Sequence, residues 1–154
     1  MTGAAAAAAQ PSPAGTAPLA EPAQPSISSV SFRGTSGPGV ASPTITVTGS
    51  DFGARAPRGT GDDTTSCGPY TANGRVYGDE LYITDDKNFE AGYGSSTNGA
   101  NCIGIIVRSW SATKIVLQFG NAYGTFARWY LRNGDGYAVS IKNGIWGGKV
   151  RGLS

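Results

Sequence analysis

The sequence predicts an all-β protein, an antiparallel β-sandwich of seven or eight short strands behind a disordered N-terminal tail. Three observations carry this. The 129 residues from Ser26 onward hold 22 of the 24 glycines, and Gly costs about 1 kcal/mol against Ala inside a helix. No window there sustains an i, i+3, i+4, i+7 apolar stripe, whereas period-two alternation recurs along the block. Asn-Gly and Asp-Gly dipeptides separate the alternating runs, as tight turns require.

The strands follow in order. Val30 and Phe32 share a face of the first, after Ile27. Ile45 and Val47 alternate with Thr44, Thr46 and Thr48 in a half-buried run of β-branched residues. Leu81 and Ile83 mark a third. Ile103, Ile105 and Val107 mark a fourth, joined by Ser111-Ala112-Thr113 to a fifth through Ile115, Leu117 and Phe119. Phe126 to Leu131 reads as an aromatic-rich sixth. Tyr137, Val139 and Ile141 form a seventh, and Ile145 to Arg151 pairs with it across Asn143-Gly144, a type I′ hairpin signal. Strands at these intervals belong to a sandwich.

Residues 1–25 are different in kind. They contain 10 Ala, 5 Pro and a single charge, Glu21. Such a segment buries too little apolar surface to offset its ordering entropy, and its prolines interrupt any helix the alanines start. It reads as a disordered tail or linker. The run Ala4 to Ala9 before Gln10-Pro11 also resembles the end of a signal peptide, although a basic start and a Leu/Val-rich stretch are missing. The domain proper is expected over residues 26–154.

Several residues of this block resemble a known family. Ile27-Ser-Ser-Val-Ser-Phe32, followed by Thr44-Ile-Thr-Val-Thr-Gly-Ser-Asp-Phe-Gly53, is similar to the opening of an IPT/TIG immunoglobulin-like domain. Val107-Arg-Ser-Trp-Ser-Ala-Thr-Lys-Ile-Val-Leu117 is similar to the family's later hairpin, and Tyr137-Ala-Val-Ser-Ile141 to its closing strand. The chain departs from the pattern at Phe32, where the family has Pro. It also departs in a long Gly-rich excursion over 54–80 and in the bulkier stretch 120–136. The resemblance, to a variant or distant relative, implies an immunoglobulin-like sandwich that binds other molecules or spaces other domains. It implies no catalytic residue.

Composition excludes several chemistries. The 154 residues carry 12 Lys+Arg, 10 Asp+Glu and no His. Without His, the usual neutral-pH base, the Ser-His-Asp and Cys-His nucleophile pairs and imidazole zinc sites are all missing. A net charge of +2 with scattered basic residues argues against nucleic acid as a partner. No apolar run reaches a membrane-spanning length. Phosphate-loop, dinucleotide and nucleophile-elbow motifs are absent.

Three sets of residues remain as candidates. Cys67 and Cys102 are most simply a disulfide in an oxidising, extracellular or cell-surface setting, the alternative being two buried thiols. The bridge would contribute about 3–4 kcal/mol by chain entropy. The acidic doublets Asp62-Asp63, Asp79-Glu80 and Asp85-Asp86 read as solvated strand ends. Asp85, Asp86, Asn88 and Glu90 alternate oxygen ligands and are the candidate calcium set, calcium being the one cofactor considered, though they lack the Gly of an EF-hand loop. Among the aromatics, Trp110 is expected to cap the core. Trp129, Trp146 and Tyr93, with Arg128 and Tyr130, are the candidate ligand-binding set, because exposed rings stack on sugars. The expected role is that of a secreted or surface-associated, non-catalytic binding or structural module. Its partner would be a protein or a polysaccharide at the cell surface. A carbohydrate-binding module is the alternative, and a small glycoside hydrolase using paired carboxylates a remote one.

Overall fold

The computed structural model describes residues 24–56, 81–92, 103–120, 122–125 and 129–154. Its strands are β1 (Ser26–Arg33), β2 (Thr44–Ser50), β3 (Leu81–Asp85), β4 (Glu90–Gly92), β5 (Ile105–Trp110), β6 (Lys114–Phe119), β7 (Gly136–Ile141) and β8 (Gly144–Lys149). They form two four-stranded antiparallel sheets, ordered β1-β2-β6-β5 and β4-β3-β7-β8. No described residue is helical. The sandwich predicted from alternation is the fold observed.

Alternation builds the core between the sheets. Ile45, Val47, Ile115 and Leu117 come from one sheet and Leu81, Ile83, Val139 and Ile141 from the other, all fully buried. The ring of Phe32 meets that of Tyr137 edge-on across the layers at 4.9 Å. Phe89, Phe119 and Tyr123 form an aromatic cluster at one end, with centroids 5.0–6.0 Å apart.

Two register shifts explain residues that a strict period of two cannot place. In β1 the pairing skips Ser28, so Ile27 opposes Gly49 and Ser29 opposes Thr48. One extra residue reverses the parity, and Ile27 and Phe32 both face the core. In β5 the pairing skips Arg108, so Val107 opposes Leu117 and Trp110 opposes Ile115. Trp110 thereby turns inward, where its indole N–H donates to the Gly53 carbonyl at 3.0 Å.

Four expectations need correction. Residues 129–131 are a bend and not a strand, and 126–128 lie outside the described residues. The local backbone groups are engaged otherwise: Trp129 O accepts from Gly124 N at 2.6 Å, and Leu131 N donates to Tyr123 Oη at 3.1 Å. Tyr130 and Leu131 are consecutive and both buried, which a strand facing one core does not allow. The short strand β4 was not predicted, because three residues are too few to show alternation. The fourth predicted strand starts at Ile105; Ile103 lies outside it, in an isolated parallel bridge to Ala91.

The last correction concerns the final hairpin. Ile141 opposes Gly144, so the two-residue loop is Lys142-Asn143, one position before the expected dipeptide. Both adopt positive φ, 47° and 75°, as a type I′ turn demands. Gly144 is needed for a different reason. A Cβ there would lie 2.3 Å from the Pro25 carbonyl oxygen, since the chain entering β1 packs directly on the hairpin. Gln24 secures the same approach, donating from Nε2 to Asn143 O at 3.0 Å. β8 also ends at Lys149, short of the expected Arg151.

Candidate functional site

The β7–β8 hairpin holds the side chains that best qualify as a binding surface. Tyr137, Val139 and Ile141 point inward from β7. Cross-strand partners share a face, so Trp146, opposite Val139, is directed toward the core side of β8. Because β8 is the last strand of its sheet, Trp146 remains half-buried. It hydrogen-bonds the Tyr137 hydroxyl; burial raises the Tyr137 pKa above 10.0, and the Trp146 bond partly offsets this. Glycine at 148 leaves room for that hydroxyl, since a Cβ would lie 3.1 Å from it.

Ile145 has the opposite orientation. It opposes Ser140 on the outer face and is 74% exposed, the one large hydrophobic side chain so exposed among the described residues. Gly147, Gly148 and Lys149 continue the exposed part of this strand. Among the described residues no strand pairs with the outer side of β8. A charged residue and a glycine pair on an outer strand discourage indiscriminate sheet extension. Ile145 is left as a single apolar anchor.

The acidic residues of the β3–β4 turn serve local structure. Asp85 Oδ1 accepts from Lys87 N at 2.7 Å and Phe89 N at 2.8 Å, which fixes the turn. Asn88 is exposed at φ 72°, and Asp86 is exposed beside Gly136. Glu90 accepts a hydrogen bond from the Tyr82 hydroxyl. Among the described residues no three His, Cys, Asp or Glu side chains are grouped so as to hold a metal ion.

The other aromatics lie on several elements. Trp110 and Trp129 are half-buried against the core. Tyr130 is buried, with the Arg132 guanidinium 4.8 Å from its ring centre. Lys142 Nζ lies 5.6 Å from the Trp110 ring and donates to Phe52 O at 3.0 Å. Cys67, Cys102, Tyr93 and Arg128 lie outside the described residues, as do the other two acidic doublets.

A second feature was not anticipated. On the outer face of β5 and β6 a half-open cleft of about 340 Å³ is lined by Val40, Ile106, Arg108, Gln118, Phe119 and Tyr123, among others. Arg108 is the bulged residue of β5, and bulges re-aim side chains at sheet edges. Its Nε donates to Gln118 Oε1 at 2.7 Å, and Gln118 Nε2 donates to Thr44 Oγ1 at 3.3 Å. Ser42 Oγ accepts from Phe119 N at 2.7 Å, closing the rim against β6. The available signal was the parity break between inward Val107 and inward Trp110, which requires an extra residue between them.

No family model, curated protein or solved structure matches the chain. Among the described residues no helix is long and apolar enough to cross a membrane.

Proposed function

We propose that this chain is a non-catalytic binding or structural module of a secreted or surface-associated protein, an immunoglobulin-like sandwich of IPT/TIG type that engages a protein partner of the cell envelope. The observation that carries the reading is Ile145, among the described residues the one large hydrophobic side chain so exposed, on an outer strand whose far side pairs with no described strand. A partner strand laid along β8 would gain main-chain hydrogen bonds and cover Ile145. Burying such a side chain contributes about 1.5–3 kcal/mol. The Ala/Pro-rich segment 1–25, with its likeness to the end of a signal peptide, and the pair Cys67 and Cys102 support the extracellular setting. The engagement of Asp85 by backbone amides and of Glu90 by Tyr82 supports a role without acid–base chemistry.

The test uses the full chain carrying a photo-reactive residue at 145, incubated with envelope fractions of the producing cell. One cross-linked partner is expected, competed by unlabelled protein and not by Ile145→Asp. Competition that Ile145→Asp supplies equally well rejects the reading. So does retention on a polysaccharide that Trp146→Ala or Trp129→Ala abolishes, which would make the chain a carbohydrate-binding module.

A further inference from the structure

We infer that the cleft over β5 and β6 is a binding site for a small organic carboxylate with an apolar body. It lies on the sheet opposite Ile145 and is independent of the protein-docking reading. Three observations support it. First, the bulge that turns Trp110 inward also sets Arg108 out of register with the strand. Second, Arg108 is held by Gln118, which is itself held by Thr44. The bond occupies Nε; among the described residues the two terminal amino groups make no further hydrogen bond. That edge of the guanidinium is the one that receives a carboxylate in a bidentate pair.

Third, the lining contains one cation and no acid, and Val40 and Ile106 stand beside it half-buried, with Phe119 and Tyr123 buried behind them in the core. The accessible lining is mostly polar, with Ser42, Arg108 and Gln118 converging beside small apolar patches at Val40 and Ile106, and a few convergent polar groups fix orientation in a small-molecule site. An anionic head on Arg108 with an aliphatic or aromatic body against Val40 and Ile106 satisfies both halves. The volume, about 340 Å³, suits a body of one ring rather than a polymer. The head group could belong to a free acid or to the C-terminus of a peptide, and the probes separate these sources.

Amide resonances are followed while benzoate, benzamide, and N-acetylphenylalanine as free acid and as amide are titrated into the full chain. Benzoate is expected to give saturable shifts at Ile106, Gln118 and Gly120, with benzamide at least tenfold weaker. Arg108→Gln should weaken benzoate at least tenfold while leaving the remaining spectrum in place. Ile145→Asp should leave it unchanged. Raised ionic strength should weaken it further. A peptide-terminus source is indicated if acetylphenylalanine acid exceeds benzoate, and a free acid if it does not. Equal shifts with benzoate and benzamide, shifts elsewhere on the molecule, or no loss in Arg108→Gln would overturn the proposal. Gln118→Ala is the second variant: it frees Arg108 without removing the charge, and an intermediate loss is expected.

Discussion

The Tyr123 hydroxyl accepts the buried N–H of Leu131 while its ring stacks on Phe119. Tyr123→Phe keeps the stack and strands that donor. The expected cost is about 1–3 kcal/mol in denaturant unfolding. The same hydroxyl also sets a pH dependence. Burial holds the Tyr123 and Tyr137 pKa values above 10.0, whereas in the unfolded chain both titrate near 10. The folded form therefore keeps protons that the unfolded form loses. The associated stability is fully present below pH ~10 and falls as pH rises through the folded values. Unfolding measured from pH 8 to 12 should show that decline, and Tyr123→Phe should make it shallower. Residues such as Tyr123 were not legible beforehand. An aromatic in a turn announces neither its partner nor its burial, and the acceptor role depends on a bend that alternation had assigned to a strand. Lys142 hid in the same way, since the carbonyl it reaches is on Phe52, 90 residues earlier.

Strands were legible where alternation runs for five residues or more with β-branched side chains, as in β2, β6 and β7. Alternation carries no such signal where hydrogen bonds leave the ladder, at 129–131, or where a strand is too short, at β4. In the β7–β8 hairpin the dipeptide signal lay one residue off. Asn143 fills the second turn position, while the following glycine answers a tertiary contact with Pro25. That distinction is testable with two alanines on one strand. Gly144→Ala places a Cβ against the Pro25 carbonyl and should cost about 1–3 kcal/mol. Gly147→Ala meets only the Tyr137 oxygen at an ordinary 3.4 Å and should stay within about 0.5 kcal/mol. Thermal unfolding of the two variants separates them.

Across the molecule, the two sheets are joined beyond β8 as well as through their shared core. The chain leaves the second sheet, and Leu153 bridges in parallel to Gly34 at the end of β1 in the first. Asn133 clasps it: its Nδ2 donates to Leu153 O at 2.6 Å and its Oδ1 accepts from Leu153 N at 3.1 Å. Asn133→Ala should lower unfolding stability by about 1–3 kcal/mol, with both strand sets losing structure in one transition. The two-layer architecture was legible from the sequence; the sheet order was not, since alternation assigns faces and no neighbours. The cleft was equally hidden, because its walls come from separate stretches around residues 40, 106 and 118. That same dispersal governs how the protein comes into being. β2 is completed on its far side only by β6, with Val47 opposite Ile115, and β3 waits for β7. Non-local pairings of this kind close slowly. During synthesis the β1–β2 hairpin emerges long before either partner sheet exists, and its apolar face, with Phe32, Ile45 and Val47, stays uncovered until most of the chain has been made.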